Sequence, residues 1–298
     1  MMKLKMMLVA VVLLLVLNIV SADTFVGVGG QFDIDFVTIS GDTNPTSGYG
    51  QVTGDYRMGR LEISNDQFAK FAANNPYFTD GTVPANNVTW FEAAQFTNYL
   101  NTSTGNQAAY KFTADVMGVW QDGEDGYDAS NPFRNSNAKY FMPTEDEWVK
   151  AAYWNGMSLQ RYATKSDESL TQGDGTSGTG WNYYDFKCYD PGYATNPAGP
   201  WDVGSGSEEL NGTFDMMGNV YEWMESNYSG DFNADSSRGV RAGSYDYDYF
   251  YLSSFIRGTY NPNGEDHSLG FRVASNVPEP CSLVLLGLGG LVLRSRKK

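Results

Sequence analysis

The clearest apolar–polar alternation in this chain lies near its start. Phe32-Asp33-Ile34-Asp35-Phe36-Val37-Thr38-Ile39 switches with period two, and with Phe25 to Val28 before it predicts half-buried strands. Three short amphipathic helices are predicted further on, each opened by a hydroxyl residue answered three positions later by Gln or Glu. The pairs are Ser64 with Gln67, Thr89 with Glu92 and Thr144 with Glu147. In this arrangement the hydroxyl accepts from a free N–H of the first turn, and the longer side chain accepts from the cap's own N–H. Apolar stretches follow at 68–72, 93–100 and 148–154. From Gly156 to Gly212 the periodicity is lost, and Gly, Asn, Pro, Asp and Tyr predict long structured loops.

Both ends carry apolar runs of another kind. Lys3 and Lys5 precede an apolar stretch from Met6 to Val20, and Val20-Ser21-Ala22 supplies the small residues of a cleavage site. Residues 1–22 therefore read as a secretory signal handled by the Sec machinery, with the mature chain beginning at Asp23. An uncleaved anchor is the alternative, but the run is short for a bilayer span of about 20 residues. At the other end, Val277-Pro278-Glu279-Pro280 leads into an apolar segment from Cys281 to Leu293, closed by Arg294, Arg296, Lys297 and Lys298. Basic residues behind an apolar segment stay cytoplasmic, so the tail predicts a short transmembrane segment with the domain outside. Pro278, Glu279 and Pro280 with this helix and tip closely resemble the PEP-CTERM sorting signal of Gram-negative bacteria. That resemblance implies an exosortase as partner for residues 277–298, and an exported, surface or extracellular protein held only transiently in the membrane. A plain C-terminal anchor gives the same topology.

Between the ends lies one domain, residues 23–276, with no linker to split it and enough chain for a proper core. Six of the 20 Lys and Arg lie in the two ends but only one of the 35 Asp and Glu, so the domain is near −20. A field of that sign excludes nucleic acid as a partner and attracts cations. The chain has one histidine, His267, and two cysteines, Cys188 and Cys281, the latter in the tail. An internal disulfide is ruled out, as is a zinc, copper or iron site built from several His and Cys ligands. A Ser-His-Asp triad would have to use His267, which reads instead as a solvated turn residue. Oxygen donors are plentiful, and these are what Ca²⁺ prefers. Residues 121–128 are acidic but lack the downstream glutamate of a helix–loop–helix calcium site, and read as a solvated loop.

Six motifs then occur in order. They are residues 56–68 (Tyr56-Arg57-Met58-Gly59 into Glu62-Ile63-Ser64-Asn65), Asn87-Val88-Thr89-Trp90, Met142-Pro143-Thr144-Glu145-Asp146-Glu147-Trp148, Met217-Gly218-Asn219-Val220-Tyr221-Glu222-Trp223, Arg241-Ala242-Gly243-Ser244-Tyr245, and Gly270-Phe271-Arg272-Val273-Ala274. Together they resemble the formylglycine-generating enzyme (sulfatase-modifying factor) family across nearly the whole domain. The resemblance implies a loop-rich α+β fold, distantly related to C-type lectins. It also implies two catalytic cysteines shortly after the Arg241 motif, where this chain carries Tyr247 and Leu252. A thiolate is the species that holds soft copper, so formylglycine-generating oxidase activity is not expected.

What the resemblance does carry over is calcium. One implied site uses Asp215, the carbonyls of Gly218 and Val220, and Glu222. A second uses Asn182, the carbonyl of Tyr183, Asp190 and the carbonyl of Tyr193, one residue longer than the family spacing. The segment after Ser244 alternates aromatic and acid, and as a strand it would put Tyr245, Tyr247, Tyr249 and Tyr251 on one face as a candidate ligand groove. With no catalytic residues assigned, the expected function is a calcium-stabilised surface or matrix binding module for exopolysaccharide or another exported protein. The alternatives are a family enzyme of divergent chemistry and a structural biofilm or envelope component.

Overall fold

The computed structural model describes residues 20–166, 169–185 and 199–277. The apolar run of the N-terminal signal, Cys188, Asp190, Tyr193, and the Pro278-Glu279-Pro280 tail with its apolar segment lie outside the described residues. In chain order the elements are β1 (Val20–Gly27), β2 (Gly30–Ile39), β3 (Tyr56–Gly59), α1 (Asn65–Ala69), α2 (Trp90–Ser103), β4 (Lys111–Thr113), β5 (Val116–Gly118) and β6 (Tyr140–Phe141). They continue with α3 (Glu145–Tyr153), β7 (Tyr221–Asn227), β8 (Arg238–Arg241), β9 (Gly258–Tyr260), β10 (Leu269–Gly270) and β11 (Ala274–Asn276). One sheet has the order β1-β2-β3-β11-β6 and a second the order β10-β7-β8-β9, with β4 and β5 as a separate hairpin.

The alternation near the start produces the expected hairpin. β1 and β2 pair antiparallel from Val20↔Val37 to Gly27↔Gly30, turning at Val28-Gly29, where Gly29 takes a φ of 80° that few other residues tolerate. β1 reaches back to Val20, three residues before the expected mature start. Asp23 is itself an anchor: its carboxylate accepts from Arg57 Nη2 at 2.7 Å and from the Tyr140 hydroxyl at 2.6 Å. Burial alone would raise its pKa, but these partners hold it well below the ordinary carboxylate value.

All three capping boxes form as the sequence predicts, with Ser64, Thr89 and Thr144 as caps. They set the two longer helices on opposite sides of the five-stranded sheet. Trp90, Ala93, Ala94, Phe96 and Leu100 of α2 pack with Phe25, Ile34 and Phe36 in one apolar cluster. Trp148, Val149, Ala152 and Tyr153 of α3 pack with Val37, Ile39 and Met58 in the other. Successive strand residues face opposite sides, so Phe36 and Val37 belong to different cores. No helix or strand spans the described residues between Trp154 and Val220, as the sequence anticipates for its loop stretch.

Three motif tryptophans tie the layers together through their indole N–H groups. Trp90 donates to the Met224 carbonyl at 2.9 Å, Trp223 to the Val88 carbonyl at 2.9 Å, and Trp148 to Glu222 Oε2 at 2.7 Å. Glu222 and Arg272, both wholly buried, form a forked ion pair with bonds of 2.6 and 2.7 Å. Arg272 also donates to the carbonyls of Gly59 and Phe214. Removing one member of such a pair strands a buried charge, which costs about 3–5 kcal/mol, whereas an apolar replacement of both is far milder. Glu222→Gln should therefore lower stability by about that amount in urea unfolding, and Glu222→Leu with Arg272→Met should recover most of it.

Candidate functional site

A cleft of about 400 Å³ opens on the outward side of the four-stranded sheet. Its aromatic wall consists of Tyr221, Tyr247, Tyr251 and Tyr260, and its polar rim of Thr259, Asp266 and Ser268. Tyr221 follows from the strand pleat: it points away from the core between Val220 and Glu222, both wholly buried. Its ring meets Tyr247 edge to face at 5.1 Å, and Tyr247 meets Tyr251 at 4.9 Å. Tyr260 is braced by Trp223 at 5.8 Å and directs its hydroxyl to Asp266 Oδ2 at 3.4 Å. Asp266 Oδ1 accepts from the backbone N–H and the hydroxyl of Ser268 at 2.8 and 2.7 Å.

The strand expected for the tyrosine segment does not form. Successive turns fold it, with Tyr247 N donating to the Ser244 carbonyl and Tyr251 N to the Asp248 carbonyl. Turn geometry brings residues four apart together, so Tyr247 and Tyr251 line the cleft. Tyr245 turns inward, is nearly buried, and shares a 2.7 Å hydrogen bond with His267 Nδ1. Tyr249 is exposed and outside the cleft lining. Tyr221, Tyr260 and Asp266 were not anticipated; the outward position of Tyr221 in its strand was the available signal. Of the two positions implied for cysteines, Tyr247 stands in the cleft and Leu252 is wholly buried in the α3-side core. Burial foremost, with nearby acids for Tyr247 and Tyr260, raises the pKa of Tyr221, Tyr247 and Tyr260, so these hydroxyls stay protonated donors at neutral pH.

Behind the cleft sits an acidic hub. Glu62, Glu209, Asp215 and Glu222 surround the single guanidinium of Arg272 and feel one another's charge. Glu222, expected as a calcium ligand, has both oxygens engaged by Arg272 and Trp148, so a cation there would share its carboxylate with the ion pair. Asp215, at a φ of 60°, uses Oδ2 to accept from Gly204 N at 2.8 Å. Gly218 lies so close to the Asn182 carbonyl that a Cβ there would come within 2.1 Å of it, and Asn219 N donates to that same oxygen. The two expected calcium segments are thus neighbours. Asn182 is buried, and its Oδ1 lacks a hydrogen-bond partner among the described residues, which leaves an oxygen free to meet a cation. The Tyr183 carbonyl accepts from Gln172 Nε2 at 2.6 Å. Among the described residues no three Asp, Glu, His or Cys side chains converge on a metal position.

The family model described as the sulfatase-modifying factor enzyme 1-like domain matches residues 20–277. The chain belongs to this family. No curated protein matches it in sequence. Among solved structures, Treponema denticola variable protein 1 superposes with a TM-score of 0.61 at 19% identity, over 86% of this chain and 99% of that one. CarF gives 0.59 at 24% identity over 82% and 99%, and PvdO from Pseudomonas aeruginosa gives 0.51 at 15% over 87% and 92%. These likenesses confirm the loop-rich α+β fold. Among the described residues no helix is long and apolar enough to cross a membrane.

The hub makes stability depend on pH. Burial, then the charge of Asp215, pushes Glu209 from 4.5 up to about 8, while burial lifts Asp215 to about 7 and Glu62 well above its usual value. The folded protein therefore keeps protons that the unfolded chain loses above about pH 4.5. Stability is full below that point and falls as pH rises towards 8, by at most about 1.4 kcal/mol per pH unit for each group. In EDTA, urea midpoints should fall across this window, and Glu209→Gln should flatten the slope in part.

Proposed function

We propose that this chain is an exported, non-catalytic member of its family, a surface or matrix module whose tyrosine cleft binds a carbohydrate chain. The observation that carries the reading is the cleft lining: four tyrosines and one carboxylate, with no cysteine or histidine among them. Aromatic faces stack on the C–H faces of sugar rings, and the phenol, hydroxyl and carboxylate rim supplies the few polar contacts that orient a hydroxylated ligand. Glycosidic hydrolysis would need a second carboxylate across the cleft from Asp266, and none lines it. A thiol-based oxidation has no thiol to use where Tyr247 and Leu252 stand in for the family's cysteines.

In this reading calcium stabilises the loops around Asn182. One oxygen set is the Asn182 Oδ1, the Tyr183 carbonyl, Asp190 and the Tyr193 carbonyl; the other is Asp215, the Gly218 and Val220 carbonyls and Glu222, whose carboxylate would be shared with Arg272. Bound calcium would supply the cross-link that a chain without disulfides lacks. Export through the Sec machinery and exosortase processing at Pro278-Glu279-Pro280 complete the proposal. The sorting tail would leave the domain just past β11, whose last residue Asn276 is held by Arg57 and donates to the Ala138 carbonyl.

Arrayed neutral oligosaccharides should bind the purified protein, and Tyr247→Ala and Tyr221→Ala should each weaken that binding at least about tenfold. Adding calcium to EDTA-treated protein should raise its melting temperature, a shift that Asn182→Ala removes. Copper-dependent conversion of a cysteine peptide to formylglycine would defeat the non-catalytic reading.

A further inference from the structure

A second concavity lies where the N-terminus of α3 meets the end of β7. Two adjoining hollows of about 370 and 380 Å³ share Asp146, Ser226, Asn227 and Gly230. We infer that this trough is a separate binding site for an alkylammonium group, the lysine side chain of a basic polypeptide, which docks between Asp146, Asn227 and Phe232. The inference is independent of the tyrosine cleft.

Charge counting comes first. Glu147 and Glu225 line the trough and share one cation, Arg134, at 2.9 and 2.7 Å. Glu145 is clasped by both Arg241 and Arg257, each at 2.6 Å. Those three acids and three arginines cancel. Buried Arg238, stacked behind Phe133, acts on Glu225 and Asp231 from the core side. Asp146 is left without an ion-pair partner among the described residues. Asp231 is fixed by neutral donors, Asn227 Nδ2 at 2.7 Å and Asn233 N at 2.8 Å. Asp146 accepts from Gly50 N at 2.8 Å. The positive end of α3 offsets only about half a charge.

The second observation is an acceptor without a donor. Asn227 is 3% exposed, its amide nitrogen is bound to Asp231 and the Asn233 carbonyl, and its Oδ1 has no hydrogen-bond partner among the described residues. It lines both hollows. A buried carbonyl oxygen left free costs stability unless something donates to it, and the unpaired carboxylate of Asp146 in the same trough favours a donor that carries positive charge. The missing partner is thus a positively charged donor.

The walls decide which donor. Phe232 is 44% exposed and packs edge to face against Phe133 at 5.7 Å, giving an apolar flank beside the carboxylates. An aromatic face next to an acid suits a methylene stem ending in an ammonium, by packing and by cation–π attraction. A metal ion would want several oxygen ligands drawn together, and no three acids converge here among the described residues.

Titration calorimetry of the full chain with tetralysine at low salt tests this. Saturable binding is expected, weakened at least tenfold by Asp146→Asn and by Phe232→Ala, and lost in 0.5 M salt, while tetraglutamate gives no heat and millimolar calcium does not compete. Phe232 is on the surface, so its variant keeps the test valid should Asp146→Asn disturb the helix start. No saturable heat, equal binding by both variants, or displacement by calcium would each overturn the assignment.

Discussion

Everything in this molecule is arranged around the buried fork between Glu222 and Arg272. Neither residue has contact with water, and each holds a different part of the chain: Glu222 sits on β7, and Arg272 lies just before β11. Trp148 adds α3 to the same carboxylate, and Arg272 adds the end of β3 and the loop at Phe214. The second sheet, the first sheet, a helix and the long loop region thus meet at one charge pair. Two buried charges are costly to desolvate, so the pair gives a geometry that is specified more than a surplus of stability.

That constraint explains why the family motifs are so polar for core sequence. Glu62, Glu145, Glu147, Glu222, Arg241 and Arg272 are all buried or nearly so, and each has a charged or amide partner. A domain with few regular elements and one cysteine between residues 23 and 276 places its loops through such contacts rather than through broad apolar faces. Burial first, and then the excess of acid over base around Arg272, lifts the pKa of Glu209 and Asp215 towards neutrality and makes that region respond to protons.

Function occupies the places that this frame leaves open. The cleft takes its floor from the outward side of β7 and its wall from a turn segment that the Arg241 motif launches, so aromatic rings collect where the family's chemistry would stand. The trough at the start of α3 arises differently, from acids that the arginines do not reach. One site offers rings and hydroxyls, the other offers charge, and the two proposals assign them to a glycan and to a basic partner respectively.

Hydrophobic periodicity and capping chemistry determined the first hairpin and all three helix starts, because those depend on residues within a turn or two of one another. The ordered motifs determined the family and with it the α+β fold, since each motif's residues have fixed partners that spacing preserves. Tertiary structure alone decided the fate of the tyrosines: a segment read as a strand folds into turns, sending Tyr245 to His267 and joining Tyr247 with Tyr221, 26 positions away. It also decided that Glu222 belongs to Arg272, 50 positions on. Such pairings are set by how the sheets and loops pack in space, and a carboxylate's spacing along the chain does not tell which cation will reach it.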